Sequence, residues 1–414
     1  MMRILLCLVL SINTYASVQN DVLTTLWHEL GHPPKKIVKK ENDQRNYPNT
    51  LAKKEEKKVM PIKEKELSPG QRKIEEIKAR NRKLIQQRKV ESHASDNIYD
   101  QYRKNLSDLK RQTTTTLASQ KNMINKTRER WRAARDEFLK NLSHYKENTF
   151  SLESVGGNFQ RAPLKLLSTS TPLSRGEDYY VVKNAFKVGI KDQGKRPTCS
   201  AFAGASAIEI MLRQNQSNVD VSEQYLYWSS KPYCQKSPCS KKGSWISYAY
   251  DNSINSKGFN IPSEGNCPYN SLSRPGNETQ IPLSSSCQKG VVKVDSYQKI
   301  STSSKIIEAL EKDRPIIIGV KLSPNFYTTS GIITYQDSLV GGKMDQHASG
   351  HALLLIGYMK LPKKLAHEGR VCYITANSWT QGWGAGGYGC LSEKWLTQYK
   401  VNNPFLALSK VRSL

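Results

Sequence analysis

The stretch DQGKRPTCSAFAGASAIEI, Asp192 to Ile210, constrains this chain more than any other part of it. A polar loop containing Gly194 and Pro197 stops at Cys199, and from there Ala and Ile dominate. Gly and Pro punctuate and Ala propagates, so the pattern predicts a helix from Cys199 to about Gln214 with the cysteine at its start. A thiol there sits among unpaired backbone N–H groups at the positive end of the helix dipole, which favours its thiolate. A buried structural cysteine opening a core helix is the alternative, and for one cysteine seen alone it is the better one.

Downstream residues change that balance. His351 stands in GHALLLIGY and Asn377 in ITANSWTQGWGAGGYG, each at the edge of an apolar or aromatic strand. A cysteine nucleophile needs an imidazole to take its proton, and the imidazole needs a third group to fix its tautomer and orientation. Gln193 lies six positions before the cysteine, DVSEQYLYW (Asp220 to Trp228) follows the first helix, and PIIIGV with NFYTTSGIITY precedes the histidine. With these surroundings, and in the chain order Cys, His, Asn, residues of about 180 to 400 resemble the papain-like cysteine proteases.

The resemblance implies an α+β, two-lobe fold: a helical lobe and an antiparallel β-barrel-like lobe with the cleft between them. It implies Cys199 as nucleophile, His351 as its base and acid, Asn377 orienting the imidazole, and Trp379 shielding the His–Asn hydrogen bond. The Cys199 backbone N–H and the Gln193 side chain would hold the oxyanion, a donor pair worth about 3–4 kcal/mol. No cofactor and no metal are implied; the substrate is a protein or peptide. His347 is a rival base, but the His-Ala start of the strand favours His351. His351 lies 152 and Asn377 178 positions after the cysteine, beyond the usual spacing of ~130–150, and the excess is read as loop, including the basic insertion LPKKLAHEGR. Ser200, Thr380 and Arg196 depart from the family, which commonly has an aromatic residue, a Gly and a second Cys at these places. Helices are expected at Ser304 to Lys312 and from Ser222, its cap, and strands at Pro315 to Leu322, His351 to Tyr358 and Val371 to Asn377.

Residues 1–16, with Arg3, the apolar run ILLCLVLSI and a small residue at Ala16, read as a signal peptide, so the chain is expected to be exported, to a secreted, periplasmic or lysosome-like compartment. That run is too short to span a membrane, and no other stretch reaches the ~18 apolar residues a span needs. Of 8 Cys, Cys7 leaves with the signal and Cys199 stays free. The remaining six allow 15 pairings. The expected set is Cys234–Cys239, Cys267–Cys287 and Cys372–Cys390, favoured over zinc binding by an oxidising compartment.

Residues 17–165 form a basic N-terminal region, partly disordered and partly helical, before a peptidase domain at 166–414. Lys35 to about Gly70 reads as linker. Apolar residues at helical spacing follow, first Ile74, Ile77, Leu84 and Ile85, then Ile124, Trp131, Phe138, Leu142 and Tyr145. An exported papain-like enzyme commonly carries an inhibitory prosegment, and this region is assigned that role, with a processing cut between about Ser151 and Tyr180. The opposing reading is an idle papain fold that binds an anionic cell envelope through its basic helices. Charge does not choose, because residues 17–170 hold 33 Lys and Arg against 19 Asp and Glu and the rest of a chain of net +27 is basic too. Within this region His28-Glu-Leu-Gly-His32 matches a zinc-protease motif, but Pro33 and Pro34 stop the helix and no strand precedes it. Leu26, Trp27 and Leu30 are instead expected to dock as one apolar turn. Oligomeric state is not legible.

Overall fold

The computed structural model describes residues 18–32, helical stretches between 76 and 127, then 129–147, 162–173, 178–255, 260–280 except 273 and 275, 283–345 and 349–414. The signal peptide, the linker before 70 and His347 lie outside the described residues. The chain divides into one compact unit of Met1–Pro34 with Lys126–Leu414 and a second of Lys35–Asn125. In the second unit residues 76–84 are helical, as expected. Ile77 and Leu84 are 54% and 46% exposed, and Ile74 and Ile85 of the same expected set lie outside the described residues.

Among the described residues of the first unit, helices α1 at residues 18–29, α2 at residues 129–140 and α3, Leu142–Glu147, precede the peptidase region. The helical lobe that follows is built on α4, Cys199–Gln214, in which every residue from Cys199 to Leu212 is buried except Ser206. Helix α5, Glu223–Ser229, starts where Ser222 Oγ accepts a bond from the Tyr225 N–H, so the serine is the cap its sequence suggests. Helix α6, Ser247–Asn255, crosses close to α4, and Gly204 permits that approach: a Cβ there would collide with the Ile246 side chain. Disulfides join Cys234 to Cys239, Cys267 to Cys287 and Cys372 to Cys390.

The sheet lobe has nine strands: β1 Tyr179–Val181, β2 Ile261–Pro262, β3 Gly290–Ile300, β4 Ile316–Lys321, β5 Ile332–Ile333, β6 Gly350–Lys360, β7 Val371–Ala376, β8 Tyr388–Ser392 and β9 Phe405–Ser413. Their order is β2-β3-β9-β4-β6-β7-β8-β5, with β1 also on β6, and the pairings are antiparallel except β5 with β8. Strand β6 is buried from Gly350 to Met359 because α4 packs against it and β4, β7 and β1 flank it. Register then sets the site. Val320 pairs with His351 and Leu354 with Ala376, so Asn377, one residue past β7, arrives beside the start of β6. The remaining helices are α7, Ser303–Glu311, α8, Pro324–Thr328, and α9, Glu393–Tyr399. The basic insertion after β6 is pinned by Glu368, which accepts from the Tyr335 and Gln336 N–H groups and the Ser392 hydroxyl.

The three N-terminal helices pack on this lobe. On α1 and its last turn, Leu26 and Leu30 are fully buried and Trp27 nearly so, the docked apolar turn expected from the sequence. The HELGH side chains go to separate partners. Glu29 accepts from the Ser330 hydroxyl at 2.9 Å, and His32 stacks on Trp27 at 3.8 Å with its Nε2 3.2 Å from the Lys360 carbonyl. On α2, Arg135 donates to the Thr329 and Thr328 carbonyls at 2.6 and 2.8 Å. Gly382 lies so close beneath this helix that a Cβ would run into the Ala134 carbonyl.

Candidate active site

Cys199 opens α4 with no side-chain cap on the helix, because the Thr198 hydroxyl turns instead to Tyr269 at 2.7 Å. The Ala201 N–H is taken by the Thr198 carbonyl at 2.9 Å, and the N–H groups of Cys199 and Ser200 bear on the sulfur. From the sheet side, the Ala352 N–H donates to Cys199 Sγ at 3.4 Å, which seats the sulfur against the backbone next to His351.

The imidazole's orientation follows from one hydrogen bond. Asn377 Oδ1 lies 2.8 Å from His351 Nε2 and also accepts from the Ser378 N–H at 2.9 Å. A backbone N–H can only donate, so the amide presents its oxygen to the ring and Nε2 carries the proton. Nδ1 is then the basic nitrogen, and it is buried without a hydrogen-bond partner among the described residues. Trp379 lies over the ring, with centroids 4.6 Å apart, and is itself enclosed by Phe326, Tyr327, Phe138 and Tyr145. Water is excluded from the His351–Asn377 bond on that side.

Gln193 is 2% exposed and held at both ends: Oε1 accepts from the Ser378 hydroxyl at 2.7 Å and Nε2 donates to the Arg196 carbonyl at 2.9 Å. One hydrogen of Nε2 is left over. The structure thus brings Cys199, His351, Asn377, Gln193 and Trp379 into one place between the lobes. Sequence reasoning missed Ser378, the Ala352 N–H and the Phe326–Tyr327 cradle; the NSW run points to the first only in hindsight, and nothing local marks the others.

The expected thiolate is not what this geometry favours. Cys199 and His351 are each 1% exposed. Burial pushes the thiol up to about 12 against the helical N–H groups, and pushes His351 down to about 4 against the Asn377 bond. Desolvation disfavours the charged form of each group in this enclosed site. The helix dipole acts here, but it is the smaller effect.

Residues 178–407, more than half of the chain, match the model of the papain family of cysteine proteases. The chain belongs to the papain family. Its relatives include a cysteine protease of Blomia tropicalis, 25% identical over 64% of this chain and 77% of that one. Ananain of Ananas comosus is 27% identical over 48% of this chain and 50% of its own length. Among solved structures, xylellain of Xylella fastidiosa aligns with 64% of this chain and 97% of its own at 16% identity and a TM-score of 0.48. The papain-like fold has its helical and sheet lobes here as in the family, preceded by a basic region whose described residues are mainly helical. No helix among the described residues is long and apolar enough to cross a membrane.

Proposed function

We propose that this papain-family chain is an exported cysteine endopeptidase made as a zymogen. The observation that carries the chemistry is the His351 Nε2 to Asn377 Oδ1 bond of 2.8 Å, which leaves Nδ1 as the only ring acceptor for the thiol proton. On substrate binding, Nδ1 takes that proton, Cys199 Sγ attacks the peptide carbonyl carbon, and the oxyanion is held by the Cys199 N–H and the free hydrogen of Gln193 Nε2. Collapse expels the amine, protonated by His351, and leaves a thioester. Water, deprotonated by the same nitrogen, then releases the acid and regenerates the thiol.

Latency is supported by the enclosure of Cys199 and His351 and by the position of α2 and α3. Phe138 and Tyr145 pack on Trp379, and the Tyr145 hydroxyl bonds to Asp192, the residue before Gln193, and to Thr380. Residues 17–165 act as the prosegment, removed by a cut between about Ser151 and Tyr180, and their basic surface suits an anionic envelope. Export is supported by the three disulfides.

The test is hydrolysis of a mixed fluorogenic peptide pool, from pH 4 to 8 under mild reduction, by the intact chain and by the chain nicked within residues 148–177. Cleavage by the nicked form alone, abolished in Cys199→Ala, is the expected result. Folded protein that neither cleaves nor labels with a thiol-directed epoxide after nicking would overturn it.

A further inference from the structure

Arg196 is fully buried, although a guanidinium ordinarily reaches for water. It stands where the sequence departs from the family's second cysteine, so the disulfide expected to anchor this loop is gone. In its place, Nη1 donates to Gln224 Oε1 at 2.8 Å and to the Asn270 carbonyl at 2.7 Å, and Nη2 donates to the Glu278 carbonyl. The Glu278 carboxylate lies 3.9 Å from Nε, and the rings of Tyr227 and Tyr269 flank the guanidinium at 5.2 and 5.3 Å. One planar fork therefore ties the loop to α5 and to two separate segments of the lobe.

The other end of the same residue faces the site. The Arg196 carbonyl accepts from Gln193 Nε2 at 2.9 Å and from the Thr198 N–H at 2.8 Å. With Ser378 holding Oε1, this bond decides which way the second Nε2 hydrogen points. A shift of the carbonyl by a few tenths of an ångström turns that hydrogen away from a developing oxyanion, and such donors act only when preorganised.

We propose that Arg196 is a positioning residue for the oxyanion donor: its buried fork fixes the carbonyl that holds the Gln193 amide in its donating orientation. This rests on the role given to Gln193 above. A merely structural anchor would disturb everything the lobe does, whereas an anchor acting through Gln193 would disturb only steps that pass through an oxyanion. Alkylation of Cys199 by iodoacetamide forms no oxyanion and separates the two.

The experiment compares wild type, Arg196→Met, Gln193→Ala and the double variant, each produced as the full chain and nicked within residues 148–177. Gln193→Ala is expected to lower kcat by about 10²–10³-fold. Arg196→Met is expected to lower kcat by roughly 10–100-fold, a fraction of that donor loss, with KM within about twofold and the rate and pH profile of alkylation unchanged. The double variant should lose no more than Gln193→Ala alone. Arg196→Lys, which keeps a charge beside Glu278, and Gln224→Ala, which removes one acceptor of the fork, carry the same readout should the Met variant not fold. Losses that multiply in the double variant, or alkylation falling in step with kcat, would show Arg196 to be structural only. A Gln193→Ala enzyme within about threefold of wild type removes the oxyanion role of Gln193, and the Arg196 proposal with it, while leaving the nucleophile and its base untouched.

Discussion

Phe138→Ala should unlatch the N-terminal helices from the site. The ring is 3% exposed and lies 5.0 Å from Tyr145 and 6.4 Å from Trp379, the indole that covers His351. Truncating a phenylalanine so enclosed costs about 3–5 kcal/mol. If the loss falls on the docking of α2 and α3, the open fraction of the intact chain rises roughly 10²- to 4 × 10³-fold, at about 1.4 kcal/mol per tenfold. Cys199 reacts only when open, so its alkylation rate reports that fraction directly. The assay is iodoacetamide labelling of the intact chain at neutral pH, followed by mass spectrometry. Leu139, next along α2 but 39% exposed, is the control: Leu139→Ala should leave the rate within about twofold. Should Phe138→Ala lose the expected thermal stability yet label within about threefold of wild type, α2 and α3 are not what encloses the thiol.

Burial raises the Cys199 thiol to about 12 and lowers His351 to about 4, so the enclosed thiol of the intact chain should label at neutral pH only through opening and far more slowly than the nicked enzyme. Equal labelling rates would mean the site opens without processing. Replacing Cys372 and Cys390 together by Ser should cost about 3 kcal/mol in denaturant unfolding, since the 18-residue span between them contains Asn377 and joins β7 to β8. Lys191 bonds Glu209, Asp220 and Glu223 at 2.7, 2.8 and 2.5 Å, and burial holds Glu223 up at about 8 despite the lysine. Lys191→Met should therefore destabilise by about 3–5 kcal/mol at neutral pH. With its carboxylates raised still further above the unfolded value, the variant should recover as pH falls from 8 towards 4.5. A pH-independent loss, measured by melting across that range, would assign the effect to packing alone.

The candidate catalytic cluster is legible because its chemistry is local in sequence at each corner: a cysteine opening a helix, a histidine opening a strand, an asparagine ending one. The elements bearing them lie within a residue or two of their expected bounds, and so does α7, expected at Ser304 to Lys312 and found at Ser303–Glu311. Strand β3 is not legible, since bulges near Ser296 and a mostly half-exposed pattern leave no clean alternation in VVKVDSYQKI. The thiolate expectation meets an opposing effect that the sequence does not display. A helix N-terminus is visible in a sequence, but the burial that outweighs it comes from residues far along the chain. Arg196 reads as a lost cysteine and nothing more, because its partners lie between 28 and 82 residues away. HELGH shows the converse, a local pattern whose side chains are claimed by Ser330 and Lys360, 301 and 328 residues downstream.

Those last two separations bear on how the chain is made. Helix α1 leaves the ribosome well before the sheet, yet the surface that receives Leu26 includes Gly331, and the Lys360 carbonyl that His32 meets comes only with β6. At about 5–20 residues per second, synthesis of the intervening stretch of roughly three hundred residues takes about 15–60 s. For that time an apolar turn waits without its partner, prone to pair with another nascent chain. In this unit α1 therefore docks only after residues made far downstream of it are in place.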